Sequence, residues 1–245
     1  IGQAIRAAHH HDLIPAVMTF HPHPRSVLGS PGYNTVLTPL EKKLRLFDQL
    51  GVGTVYLVTF DETLAKVTPE LFVETMLKPL KVKRVSVGFN FTFGHRGAGT
   101  AELLRRLGEG SFEVNIIEPY LVNGEKVSST SVRESLERGD VENVSLLLGR
   151  WFDVCGEVVR GEGRGRTIGI PTANVSVTAP VVKPANGVYA VRATIESGIH
   201  AGRTYGGVMN IGVKPTFHGS LPVPTWEVHL FDFQGDVYGE QLTIH

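Results

Sequence analysis

Hydrophobic positions change rhythm once along this chain. Over about the first 150 residues, segments with apolar positions three and four apart alternate with short continuous apolar runs, the pattern of helices spaced by buried strands. Residues 1–11 read as a helix and "LIPAVMTF" (13–20) as a buried strand. "TPLEKKLRLFDQLG" (38–51) reads as a helix with Thr38 and Glu41 at capping-box spacing, Pro39 in its first turn and Gly51 at its stop. The alternation continues with strand "TVYLVTF" (54–60), a helix from Thr68-Pro69, strand "RVSVG" (84–88), a glycine-rich loop, helix "TAELLRRLG" (100–108) and strand "EVNIIE" (113–118). Helices from about Ser129 and Asp140 complete it. Strands spaced by helices predict a parallel, Rossmann-like sheet with helices on its faces and a ligand edge at the carboxyl ends of the strands.

After Gly149 the segments shorten and become β-branched and aromatic, separated by Gly, Pro and Asn. "WFDVCGEVV" (151–159), "GVYAVRATI" (187–195), "TYGGVMNIG" (204–212) and "TWEVHLFDF" (225–233) alternate as antiparallel strands do. Several short strands hide their edges most economically by closing on themselves, so the expectation is a small Greek-key β-barrel. The predicted architecture is therefore an α/β domain over 1–148 and an all-β domain over 149–245.

Composition narrows the ligand. The 245 residues carry 24 basic and 24 acidic side chains and are 42% hydrophobic, enough for one large core or two modest ones. Zero formal charge gives no broad electrostatic case for nucleic acid or an anionic membrane. Small molecules are the expected partners. The single cysteine, Cys155, has no internal partner for a disulfide, and no apolar run approaches the roughly 20 residues that span a bilayer. The reading is a cytoplasmic protein. The chain opens on Ile1-Gly2-Gln3 without methionine, and the expectation is that part of a natural N-terminus precedes it.

Three loops fall where the ligand edge of the first domain should lie: "TFHPHP" (19–24), "GFNFTFGHRGAG" (88–99) and "SSTSVRE" (128–134). Ser128, Ser129 and Thr130 open a helix whose free N–H groups and dipole suit a phosphate, with Arg133 one turn inside; the same hydroxyls also suit an ordinary cap. The run His9-His10-His11 points in different directions on a helix and does not converge on a metal. In the second domain, "GEGRGRTIGIPTAN" (161–174) sets four glycines ahead of Pro-Thr-Ala-Asn. Such a backbone can wrap a phosphate, and a flexible hairpin looks the same.

Taken together these residues resemble the bifunctional bacterial riboflavin kinase and FAD synthetase family. "TFHPHP", "GFNFTFG" and "SSTSVR" are similar to its adenylyltransferase motifs. "GIPTAN", "NGVYAV", "NIGVKPTF" and "WEVHLFDF" are similar to its flavokinase motifs, in the family's order and over essentially the whole chain. The most specific feature is the Pro-Thr-Ala-Asn followed some 50 residues later by Trp-Glu-Val-His-Leu.

The resemblance implies two activities. In the second domain, Gly161, Gly163, Gly165 and Gly169 would wrap the ATP phosphates and Thr172 and Asn174 would hold Mg²⁺ and the γ-phosphate. Glu227 would be the general base toward the terminal ribityl hydroxyl of riboflavin. In the first domain, FMN would take AMP from ATP to give FAD and pyrophosphate, with His23, Asn90, Ser128, Ser129, Thr130 and Arg133 at the nucleotide and FMN. The family also implies a strand and a His-x-Gly-His phosphate motif ahead of the first helix, and a final strand and helix beyond "GEQLTIH" (239–245). Two other readings share these motifs: a flavokinase with a degenerate adenylyltransferase domain, and a non-catalytic flavin-binding regulator. Glu227 with Thr172 argues against the regulator, because binding needs no base.

Overall fold

The computed structural model describes residues 1–161, 171–214 and 223–245. It divides into two units, Ile1–Lys126 and Val127–His245.

The first unit runs α1 (Gly2–His10), β1 (Ala16–His21), α2 (Pro24–Val27), α3 (Leu40–Gln49), β2 (Thr54–Thr59), α4 (Pro69–Phe72), β3 (Arg84–Gly88), β4 (Thr92–Phe93), β5 (Gly99–Thr100), α5 (Ala101–Leu107), β6 (Glu113–Ile117), β7 (Leu121–Val122) and β8 (Glu125–Lys126). The expected parallel pairing is present as two ladders. β1 lies beside β2 from Ala16↔Thr54 to His21↔Thr59, and β3 beside β6 from Arg84↔Glu113 to Gly88↔Ile117. Phe72, Val73, Leu77, Val87, Phe93, Ala101, Leu104 and Phe112 form the core beside the β3–β6 ladder. Truncating fully buried Leu104 to alanine there would cost about 2–5 kcal/mol.

Local chemistry explains the punctuation. Thr68 caps α4 by accepting the Leu71 N–H at 3.3 Å, and Thr100 caps α5 by accepting the Leu103 N–H at 3.2 Å. Two details depart from expectation. α3 starts one residue late for a Thr38 cap: Pro39 occupies the N-cap and makes no side-chain cap bond. The helix from Pro69 is one α-turn that loosens into a π-turn at Val73–Leu77 and tightens into a 3₁₀-turn at Lys78–Leu80. Pro79 in that last turn brings no N–H to continue an α ladder.

The second unit opens with α6 (Ser129–Arg138) and α7 (Val141–Leu148), followed by β9 (Val154–Val159), β10 (Ala173–Ser176), β11 (Gly187–Ile195), β12 (Thr204–Lys214), β13 (Val223–Leu230) and β14 (Gln241–Ile244). The strands close into a barrel in the order β10-β13-β12-β11-β14-β9. Sequential β11, β12 and β13 lie side by side with β10 returning next to β13, a Greek-key path. Burial alternates along each strand: Val154, Val158, Val175, Met209, Ile211, Trp226, Val228, Leu242 and Ile244 fill the interior. Intervening residues such as Asn174, Asn210, Glu227 and His229 face outward.

α6 and α7 belong to this unit, although their period suggests continuity with the α/β half. The end of α6 docks on the barrel. The Ala185 N–H donates to the Leu136 carbonyl at 2.9 Å, and Gly139 ends α6 at φ 77°. A Cβ on Gly139 would meet the Tyr189 hydroxyl at 3.0 Å. That hydroxyl donates to the Ala185 carbonyl at 2.7 Å, and burial pushes its pKa up from the ordinary tyrosine value.

Candidate functional site

The barrel's outer face carries the kinase-type residues, and strand register brings them together. Asn174 on β10 stands opposite Glu227 on β13, and Glu227 stands opposite Asn210 on β12. The alternation that turns Val175, Trp226, Val228, Met209 and Ile211 inward turns these three outward. A row of amide, carboxylate and amide therefore crosses three strands, with directly opposed side chains about 5 Å apart at Cβ. Asn174 and Glu227 are half-buried and Asn210 is exposed. Thr172, two residues before Asn174, is half-buried just ahead of β10.

Two contacts fix the Pro-Thr-Ala-Asn segment on this row. His229, two residues beyond Glu227 on the outer side of β13, holds the Pro171 carbonyl through Nδ1 at 2.8 Å. At the other end, Gly161 packs so closely on Asn174 that a Cβ would collide with its carboxamide. The first glycine of the motif is thus set by close approach to the asparagine. Gly163, Gly165 and Gly169 lie outside the described residues.

The donor set is oxygen-rich: a threonine hydroxyl, a carboxamide and a carboxylate. Among the described residues no group of three or more His, Cys, Asp or Glu could hold a metal. Three protein oxygens would leave most of a hard cation's shell to other oxygen ligands.

The adenylyltransferase-type residues are distributed. His23 caps α2, its Nδ1 accepting the Arg25 N–H at 3.2 Å, and its ring stacks on Tyr33 at 5.2 Å. It lines a cavity of about 1990 Å³ with Thr19, Arg25, Val87, His95 and Arg96, which is apolar over much of its wall and cationic at several points. Asn90, just past the carboxyl end of β3, lines a different and shallower pocket with Phe89, Glu102, Arg105, Asn115 and Glu118. Ser128 forms a reciprocal capping box with Ser131: each side chain takes up the other's N–H at 3.1 Å. Ser129 and Thr130 are exposed in the first turn of α6, and Arg133 is half-buried one turn on. Ser128 to Arg133 lie in the second unit by packing, His23 and Asn90 in the first.

Sequence reasoning missed two residues in line with Glu227 across the barrel strands. Asn210 sits inside a quoted motif but had no role, and Val188 on β11, opposite Asn210, had none either. Their adjacency arises from pairing between distant strands, and only the outward phase of each strand was readable from its own alternation.

Known proteins match both halves of this chain. The family model described as FAD synthetase matches residues 1–131, and the one described as riboflavin kinase matches residues 148–245. A bifunctional riboflavin kinase/FMN adenylyltransferase of Bacillus subtilis (strain 168) is 41% identical over 246 residues, covering 100% of this chain and 76% of that protein. The protein of the same description in Escherichia coli (strain K12) is 37% identical over 230 residues, covering 93% of this chain and 71% of that one. A crystal structure described as a macrolide-efflux protein from Streptococcus pneumoniae superposes with a TM-score of 0.89 at 33% identity, over 99% of this chain and 77% of that one. Among the described residues no helix is long and apolar enough to cross a membrane. With both family models matched in order and relatives aligned from end to end, the chain belongs to the bifunctional riboflavin kinase/FMN adenylyltransferase family.

Proposed function

We propose that this protein phosphorylates riboflavin to FMN with ATP on its barrel and adenylylates FMN to FAD with a second ATP. The observation that carries the kinase reading is the outward row in which Glu227 stands beside Asn174, with Thr172 just ahead of it. Glu227 accepts the proton of the terminal ribityl hydroxyl as that oxygen attacks the γ-phosphorus. The bond from the γ-phosphorus to the β,γ-bridging oxygen breaks and ADP leaves. Thr172 and Asn174 orient the triphosphate, and Gly161 leaves room for the Asn174 carboxamide to do so. Bound Mg²⁺ would be held by Thr172 and Asn174 together with phosphate oxygens and would neutralise charge on the transferred group.

Adenylyl transfer needs no covalent step on the protein. An FMN phosphate oxygen attacks the α-phosphorus and pyrophosphate leaves, so the protein's task is to orient the two phosphates and offset charge. Ser129 and Thr130 in the open first turn of α6, with Arg133 behind them, suit the phosphates, and Ser128 fixes that turn through its capping box. His23 and Asn90 border two concave surfaces of the first unit that suit the nucleotide and the flavin. These ligands are small and water-soluble, which fits a cytoplasmic setting without a nucleic-acid or membrane partner. Incubation with riboflavin, ATP and Mg²⁺, followed by chromatography, is expected to give FMN first and FAD after it, and chelation of Mg²⁺ is expected to stop both. Failure to form FMN in the presence of Mg²⁺ would contradict the kinase reading.

A further inference from the structure

The Pro-Thr-Ala-Asn segment is tied to the barrel by a short ladder. Against β13 its register pairs are Ala173↔Val228 and Asn174↔Glu227, and against β9 the register starts at Asn174. Pro171 and Thr172 therefore lie beyond the ends of both ladders. Carried one position further along β13, the register would set Thr172 opposite His229. At that point backbone pairing gives way to a side chain, because His229 Nδ1 lies 2.8 Å from the Pro171 carbonyl oxygen. A carbonyl oxygen accepts and does not donate, so Nδ1 carries the proton. The imidazole packs edge-on against Phe231, with ring centroids 5.7 Å apart at 72°. The Pro171 carbonyl shares one rigid peptide plane with the Thr172 nitrogen, so a bond to the carbonyl sets the plane from which Thr172 departs.

We propose that His229 is a positioning residue for phosphoryl transfer: its Nδ1–H fixes the Pro171–Thr172 peptide and so holds Thr172, with the triphosphate it orients, at a set distance from the Glu227 carboxylate. This rests on the kinase reading of Thr172 and Glu227 and adds to it the bond that ties the donor side to the strand carrying the base. Glu227 and His229 stand on the same outer side of β13, two residues and about 7 Å apart along the strand. Thr172 stands at the leading end of β10, so its distance from Glu227 depends on how that end is held against β13. Strand ends fray where pairing stops, and a misplacement of about 1 Å between reacting groups costs up to about 10²-fold in rate. The imidazole closes that end at the position where the ladder stops. His229 takes no proton from substrate, since that proton goes to Glu227. Its bond to the carbonyl is made by the neutral Nδ1–H tautomer and by the imidazolium alike, so the clamp holds in either charge state.

The test is steady-state kinetics of His229→Ala, His229→Gln and His229→Asn in the full chain, beside Glu227→Gln, with Mg²⁺-ATP and riboflavin varied separately and FMN plus FAD counted as product. Asparagine carries its amide nitrogen on Cγ, as histidine carries Nδ1, whereas glutamine carries it one bond further out. His229→Ala and His229→Gln should lower kcat/KM for Mg²⁺-ATP about tenfold, as expected for one lost hydrogen bond, with the riboflavin KM and the melting temperature near wild type. His229→Asn should restore kcat/KM to within about twofold of wild type, because its Nδ2 can donate to the same carbonyl. A general disturbance of the barrel would not separate asparagine from glutamine. Wild-type kinetics in all three variants, a defect in His229→Asn equal to that in His229→Gln, or a loss that falls on the riboflavin KM would overturn the clamp. If Glu227→Gln itself phosphorylates riboflavin at the wild-type rate, the base assignment fails and the clamp goes with it. If that variant is inactive and the His229 variants are silent, the base stands and the clamp alone is wrong.

Discussion

A single absent methyl group shapes the donor side of the barrel site. Gly161 lies against the Asn174 carboxamide, and an alanine there would have to push it aside. Asn174 is opposite Glu227, so on the proposed assignment of Asn174 to the nucleotide the displacement would disturb ATP and leave riboflavin untouched. Gly161→Ala is therefore expected to raise the KM for Mg²⁺-ATP about five- to tenfold with the riboflavin KM unchanged, measured by varying each substrate. Equal ATP affinity in the variant would mean that Asn174 does not touch the nucleotide. Thr172, Asn174 and Glu227 were named in the sequence from the resemblance of their short contiguous motifs, and strand pairing sets Asn174 opposite Glu227. Asn210 and Val188 were not legible as partners, because a one-residue slip in register would have put them on the opposite face, and register is a long-range property. His23 and Ser128 show the reverse case: both were read as ligand residues, and both also cap helices.

At the scale of elements, the short pieces were the hard ones. β11 was readable over its whole length because nine residues alternate cleanly, whereas β10 and β14, of four residues each, are too brief to show a period. The β7–β8 hairpin was also missed, although its Asn123-Gly124 turn is a strong hairpin signal between two short strands. Helices α6 and α7 were legible as helices but not in their packing, because docking on the barrel depends on the turn between them. Gly139 has φ 77° and stands 3.0 Å, measured from a built Cβ, from the Tyr189 hydroxyl. Gly139→Ala would combine left-handed backbone strain of about 1–2 kcal/mol with a crowded hydroxyl. The second unit is expected to melt roughly 5 °C lower or more in thermal unfolding. An unchanged melting temperature would show that α6 is not held to the barrel through this turn.

For the molecule as a whole, the change of texture near Gly149 announced two kinds of structure, and both are present: parallel ladders in the first unit and a closed barrel in the second. The seam by packing, at Lys126 and Val127, precedes the change in periodicity, because the two intervening helices keep a helical period while the end of α6 packs on the barrel. The family models leave the same ground between them, ending at 131 and resuming at 148. The central claim is that one chain runs two phosphorus chemistries, with a general base needed for only one. Glutamine at position 227 keeps the size and hydrogen-bonding reach of the carboxylate but does not take up a proton near neutral pH. The most direct measurement is to assay Glu227→Gln twice, for FMN formation from riboflavin and for FAD formation from supplied FMN. The expected result is a loss of about 10²-fold or more in kcat for the first reaction, with the riboflavin and ATP KM values retained and the second reaction near wild type. Riboflavin phosphorylation at close to the wild-type rate, or an equal collapse of both reactions in the folded variant, would contradict the account.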